Sequence, residues 1–358
     1  MNIANRPFWD VLAQAGKPVI LYGMGGGADK IIDYCAAKNI KIDDMFASDQ
    51  YVREHSFRGF KVKSLSQVQA MYGDFCVLLA FGSRIGSVMQ KIYGLAREHE
   101  LYVPNFPVFG GGYFDYDYYL ANKAQVERAY DLLADGESRR VYECALNFSI
   151  TGRLEYLSAM ESAKQDALDL LELRGDLSYI DLGAYDGDTV FELMDYGRGA
   201  FNISRIYAFE PDVKNFNRLR RKLNERGLGH ICELYNLGAW SCAGSLGFNA
   251  QGSRHSNFDG AASGAQRVDS VDNLLAGQVS GQVLIKYDVE GAELEALAGS
   301  REIIRRYSPK LIVSLYHRID DIFRLPAYIS GLDAGYRLYL RKHKYIPCWD
   351  LNLYAVKS

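Results

Sequence analysis

The segment Tyr179-Ile180-Asp181-Leu182-Gly183-Ala184-Tyr185-Asp186-Gly187-Asp188-Thr189 constrains the fold more than any other stretch of the chain. An apolar strand end runs into a glycine-bearing turn, and the turn runs into a helix capped by Asp188 or Thr189. Val190, Leu193, Met194 and Gly197 follow at the i, i+3, i+4, i+7 spacing of a helix that buries one face. In such an arrangement the backbone approaches a ligand closely and a helix N-terminus faces it. A second apolar run, Ile206-Tyr207-Ala208-Phe209, ends in Glu210-Pro211, with Glu210 29 residues beyond Asp181. That is one strand–helix–strand unit further on, where an acidic residue is placed to accept both hydroxyls of a ribose.

The charge of the turn narrows the ligand. A dinucleotide turn is usually spelled G-x-G-x-x-G, whereas this one reads D-L-G-A-Y-D-G-D-T. A pyrophosphate would be repelled by Asp181, Asp186 and Asp188 together. A ligand with an ammonium and a sulfonium suits such a turn better, which points to S-adenosylmethionine; a dinucleotide site stays open as the alternative.

Downstream, strand and helix patterns alternate: strands at 178–182, 205–209, 231–236, 283–288 and 310–316, helices at 189–197, 212–226, near 270–276 and at 292–307. Alternation of this kind predicts a parallel, doubly wound sheet. The last two apolar runs, 335–340 and 350–356, show no helix between them and read as a terminal hairpin-like pair. In a doubly wound sheet, ligands lie beyond the carboxyl ends of the strands. Asp181, Glu210, Asn236, Asp288 and His317 all fall at such ends, which argues for one shared site.

From Asp181 onward the motifs D-L-G-A-Y-D-G-D-T, F-E-P (209–211), N-L-G-A-W (236–240), R-V-D-S-V-D (267–272), L-I-K-Y-D-V-E-G-A-E-L (284–294) and S-L-Y-H-R-I-D-D-I-F (314–323) occur in order. In these motifs the chain resembles an FkbM-type methyltransferase dependent on S-adenosylmethionine. The resemblance implies a Rossmann-like fold with a seven-stranded, mostly parallel sheet, and methyl transfer, commonly to a hydroxyl of a sugar or natural product. The candidate cofactor residues are Asp181, Gly183, Ala184, Tyr185, Asp186, Thr189, Glu210, Pro211, Asn236 and Asp288. Gly183 would admit the methionine part, Asp181 or Asp186 would hold its ammonium, Glu210 would take the ribose hydroxyls and Asn236 would reach adenine edges.

Transfer to a hydroxyl also requires loss of a proton. A histidine has a suitable pKa, and His317 is expected at the mouth of the site as general base or as orienter of the acceptor. The alternative is a structural histidine bonded to an acid such as Asp320. Asp288 and Glu290 bracket the D-V-E-G turn and would act on the acceptor, or bind a divalent cation with a further carboxylate; no dedicated cage is visible, so a metal is not favoured. Glu293 and Glu295 read as solvated helix positions. The amine of Lys286, inside a strand, is expected to reach an acid. Arg218, Arg220, Arg221 and Lys222 read as the solvated face of a helix. The polar stretch 241–266, with Arg254, His255, Ser256, Asn257 and Asp259, reads as a loop closing over the acceptor.

The first 115 residues form a separate pattern. The strand Pro18–Tyr22 breaks into Gly23-Met24-Gly25-Gly26-Gly27-Ala28 and then a helix, giving G-x-G-x-x-A in its required context. Asp49 follows 24 residues after Gly25, where a ribose-binding acid would sit. Further strands are expected at about 43–48, at 76–81 and near 101–103. This segment resembles the N-terminal nucleotide-sugar-binding domain of some bacterial sugar acyltransferases. A nucleotide or nucleotide-sugar site at Gly23–Ala28 is one reading; a scaffold whose glycines only let the turn pack is the other. The expected organisation is a small Rossmann-like domain (1–115), a helical connector (116–175) and a methyltransferase domain (176–358). Gly110-Gly111-Gly112 would be a flexible junction, and the aromatic run 113–119 either an acceptor wall or a staple between domains.

Composition removes several classes. A net charge of −3 gives no electrostatic case for nucleic acid or an anionic membrane. No run of 18 apolar residues predicts a transmembrane segment. The six scattered cysteines show no metal-ligand spacing and read as free thiols of a cytoplasmic protein. A small-molecule or glycan acceptor is expected, and a homo-oligomer stays open. The rival to a methyltransferase is a nucleotide-sugar-binding or assembly protein whose methyltransferase domain is silent.

Overall fold

The computed structural model describes residues 1–52, 56–197, 199–249, 257–258, 264–332 and 335–357. Two parallel-type sheets organise it. The smaller has four parallel strands in the order Asp44–Phe46, Val19–Tyr22, Cys76–Leu79, Glu100–Tyr102. The larger has seven, in the order Arg337–Lys342, Leu351–Val356, Lys310–Ser314, Gln282–Tyr287, Gly175–Leu182, Phe201–Phe209, Cys232–Tyr235. Only Leu351–Val356 runs against its neighbours; it is antiparallel to both flanking strands. The hairpin-like pair therefore enters the sheet with its last strand inside its first. The central strands are buried on both faces, as expected where helices cover both sides of a parallel sheet.

Residues 116–169 contain five helices and no strand: Tyr116–Ala121, Lys123–Asp131, Gly136–Thr151, Leu154–Met160 and Lys164–Asp169. They serve as more than a spacer. The backbone N–H groups of Ala134 and Ser162 donate to the carbonyls of Leu338 and Lys342 (both 2.8 Å), which satisfies the outer edge of the large sheet. Arg341, almost wholly buried, donates to Asp135 at 2.7 Å and to Ser138 at 2.9 Å. Apolar residues of both sheets (Ile20, Val77, Leu79; Ile180, Ile285, Val313) and of these helices (Val141, Phe148, Leu157) form one continuous core.

The triple glycine is pinned in place. The Phe109 N–H donates to the His317 carbonyl at 2.8 Å, and the Arg318 guanidinium lies 4.4 Å from the Phe109 ring centroid. Beyond it, Tyr113 is buried among Phe8, Trp9, Tyr34 and Phe106, and its hydroxyl donates to the Ser149 carbonyl at 2.8 Å. The aromatic run thus staples the small sheet to the connector helices.

Three expectations need correction. The helix expected over 292–307 is two, Glu293–Ala298 and Arg301–Tyr307. Gly299 is pressed against the Trp240 carbonyl, where a Cβ would collide, and its own carbonyl accepts the Asp272 N–H at 2.9 Å. A helix missed in the sequence spans Asp321–Leu332 and carries Pro326 inside it. The stretch 241–266 contains strand: Gly244–Asn249 and Gly264–Asp269 pair antiparallel, extending Gly238–Ala239 and Asn257–Phe258 into a third small sheet. Arg254, His255, Ser256 and Asp259 lie outside the described residues, as does the side chain of Asn257.

Candidate active site

The D-L-G-A-Y-D-G-D-T turn leaves the strand Gly175–Leu182 at the centre of the large sheet. The N–H groups of Gly183 and Ala184 both donate to the Phe209 carbonyl at 3.0 Å, which folds the turn over the neighbouring strand. Gly183 has φ +83°, and a Cβ there would collide with the Asp288 carbonyl oxygen, so two strand ends meet at this residue. Gly187, at φ +86°, occupies the N-cap expected for Asp188 or Thr189, and the helix runs Asp188–Tyr196.

A cavity of about 620 Å³ opens at these strand ends. Of the sequence candidates, Gly183, Tyr185, Thr189, Glu210, Pro211, Asp288 and Glu290 line it. Glu210 is 5 % exposed; its two carboxylate oxygens accept the N–H groups of Tyr185 and Asp212, each at 2.9 Å. Burial pushes its carboxyl up to about 7, against the pull of those two donors. Asp212 caps the helix Val213–Glu225, accepting the N–H groups of Lys214 and Asn215.

Other candidates support the wall without forming it. Asp181 is fully buried behind the cavity: Thr189 Oγ1 donates to one carboxylate oxygen at 2.6 Å and Lys286 Nζ to the other at 3.3 Å. Its carboxylate is thus engaged by the protein. Asp186 pairs with Lys222 at 2.6 Å, so that helix face is not merely solvated. Asn236 donates to the carbonyls of Glu210 (2.9 Å) and Pro211 (3.1 Å), fixing the turn that carries the acid. Ala184 is buried in the core beneath the turn.

The D-V-E-G turn gathers the densest charge. Lys286, on the wall, lies between Asp181 and Asp288 at 3.3 Å from each. Burial alone would lower its pKa; the two carboxylates outweigh that and raise it. Asp288 also accepts from Ser314 (3.0 Å) and Tyr316 (3.1 Å). Burial would raise its carboxyl, but Lys286, His317 and these hydroxyls hold it well below the ordinary carboxylate range.

His317 does not emerge at the mouth. The strand ends at Ser314, and the following residues turn the imidazole inward, where it is fully buried. Its Nδ1 lies 2.8 Å from Glu293, and its Nε2 faces Asp288 at 3.5 Å and Glu290 at 3.7 Å. Burial would lower its pKa, but Glu293, Glu290 and Asp288 together raise it to about 10. The histidine is therefore a cation at neutral pH, and its acid partner is Glu293 rather than Asp320. Glu293, expected to be solvated, is 1 % exposed and also accepts the Val289 N–H at 2.8 Å. Sequence spacing offered no means of choosing it over Glu295.

In the small sheet, Gly23 and Gly27 are required by packing: a Cβ would meet the Phe81 ring or the Ala80 carbonyl. Gly25 and Gly26 face open space outside the large cavity. Among the described residues no group of ligating side chains could hold a metal ion, and no helix is long and apolar enough to cross a membrane.

Residues 181–346 match the family model of the methyltransferase FkbM domain. Over that segment the chain is similar to the methyltransferase FkbM domain. A solved FkbM methyltransferase from Methylobacillus flagellatus KT is similar over 98% of this chain and 94% of its own, with a TM-score of 0.74 and 20% sequence identity, a likeness of fold. A precorrin-6y C5,15-methyltransferase from Geobacter metallireducens GS-15 overlaps 54% of this chain and 87% of its own at 14% identity (TM-score 0.34). An rRNA methylase from Streptococcus thermophilus overlaps 57% and 95% at 15% identity (TM-score 0.33). No curated protein matches the sequence. The FkbM segment contains every strand-end residue described above, from Asp181 to His317.

Proposed function

We propose that the protein transfers a methyl group from S-adenosylmethionine to a hydroxyl of a sugar or related natural product. The observation that carries this reading is Glu210: a buried carboxylate on the cavity wall, held by two backbone N–H groups and facing the Gly183 turn across one strand spacing. Burying an acid without a cation is costly unless a ligand donates to it, and vicinal ribose hydroxyls are such donors. The residues fit the cofactor: Gly183 and Tyr185 present backbone to its amino-acid part, and the wall carries Asp188 and Asp288 for its positive charges.

When bound, the cofactor supplies an electrophilic methyl group. The protein's own part is to position the acceptor and remove its proton. Glu290 is the group proposed for the proton: it lines the cavity on a turn with φ +52°. Asp288, held by two hydroxyl donors and two neighbouring cations, remains an anion that fixes charge. His317, as imidazolium, lies behind both carboxylates and orients them; it is a positioning residue.

The test is calorimetric titration with S-adenosylmethionine and S-adenosylhomocysteine in wild type and Glu210→Ala, with methyl transfer from labelled cofactor followed against a sugar panel. Tight binding in wild type and at least tenfold weaker binding in the variant are expected. Failure of folded wild type to bind either compound would remove the reading.

A further inference from the structure

Part of the cavity wall comes from outside the FkbM segment. Arg84 and Val108, from the small-sheet half, line the same cavity as Tyr345, Trp349 and Asp350. Arg84 is an exposed residue of the cavity wall, and the backbone leading to it is fixed. The neighbouring Ser83 exchanges backbone hydrogen bonds with Ile346, its N–H donating at 2.7 Å and its carbonyl accepting at 3.0 Å. Gly82 is packed so closely under Trp349 and Tyr345 that a Cβ would lie 2.7 and 3.0 Å from their rings. The strand-end loop that carries Arg84 is thus clamped onto the 343–350 loop.

The charge balance of the wall singles out this arginine. Lys164 pairs with Glu192 at 2.8 Å, and Lys286 lies between Asp181 and Asp288. Arg84 has no ion pair or hydrogen bond among the described residues, although the wall also carries Asp188, Asp195, Glu290 and Asp350. A guanidinium offers a planar fork of donors matched to phosphate and carboxylate oxygens. Those same carboxylates would repel an anion elsewhere in the cavity and leave Arg84 as the place where it is tolerated. On the same wall lie the rings of Tyr345 and Trp349, 5.4 Å apart, aromatic groups of the kind that pack on the C–H face of a sugar ring.

We infer that the acceptor is an anionic sugar, bearing a phosphate ester or a carboxylate, with Arg84 as counter-ion to that group and the Tyr345–Trp349 pair against the ring. This rests on the methyl-transfer reading of the same cavity and adds the class of substrate. The small-sheet half then contributes to acceptor recognition.

The full-length protein, saturated with S-adenosylhomocysteine, is titrated with hexose 1-phosphates, nucleoside diphosphate hexoses, hexuronic acids and neutral methyl hexosides, in the gluco, galacto and manno series. In wild type at least one charged probe should bind tenfold or more tightly than its neutral counterpart. Arg84→Ala should abolish that preference and Arg84→Lys should keep part of it, with S-adenosylhomocysteine affinity unchanged in both. Preference for phosphates or for uronates tells the two sources of charge apart. Equal binding of neutral probes, a preference that survives Arg84→Ala, or no binding by any probe would overturn the inference. Failure of S-adenosylhomocysteine itself to bind would strike the methyl-transfer reading instead, a separate result.

Discussion

Replacing Glu210 with glutamine should change the pH dependence of folding and of cofactor binding together. The wild-type carboxyl rises from an ordinary 4.5 to about 7 because it is buried. Between those two values the folded state holds a proton that the unfolded chain has lost, so stability falls as pH rises. At about 1.4 kcal/mol per pH unit, the span corresponds to about 3 kcal/mol of stability lost by neutral pH and flat above it. The glutamine variant has no such group. Its amide cannot accept both the Tyr185 and Asp212 N–H groups, a loss of about 1–3 kcal/mol, but that loss is the same at every pH. Urea unfolding of both proteins from pH 5 to pH 8 should therefore show the variant gaining on wild type by about 2–3 kcal/mol. Calorimetry should show wild-type affinity for S-adenosylhomocysteine falling as pH drops below about 7, and variant affinity weak and flat. Parallel stability curves for the two proteins would refute the argument, since they would mean that the carboxyl is not held up by burial.

Three further outcomes follow from the same site. Lys286→Met leaves Asp181 and Asp288 without their shared cation and should cost about 3–5 kcal/mol by chemical denaturation, with partial recovery in Asp181→Asn/Lys286→Met. Gly183→Ala forces a Cβ onto the Asp288 carbonyl at positive φ; a loss of about 3 kcal/mol and of cofactor binding is expected, read by thermal unfolding and calorimetry. His317 should stay protonated from pH 6 to 9 when followed by imidazole NMR; its folded pKa of about 10 lies above the unfolded 6.5, so its stabilisation is complete below 6.5 and lost as pH rises through 10.

The placement of Glu210 and Asp288 on one wall was legible in the sequence because each ends an apolar run in a repeating strand–helix pattern. Sheet topology then brings the carboxyl ends of parallel strands together. Asp181 ends such a run too, yet its carboxylate points into the protein, because Lys286 on the adjacent strand pairs in register with it and claims it. His317 was misplaced for a related reason: the apolar run Leu311–Tyr316 hides the end of the strand at Ser314. Only the contact with Glu293 decides which way the ring turns.

The sequence by itself determined the alternation of elements and the acids at the ends of their strands, since periodicity and local propensity act over a few residues. Tertiary structure decided which of those acids line the cavity and which are buried behind it. It also decided that the loop carrying Arg84 packs, through Gly82, on Tyr345 and Trp349. That packing depends on two backbone hydrogen bonds between Ser83 and Ile346, residues more than 250 positions apart, and no local pattern encodes a contact at that range.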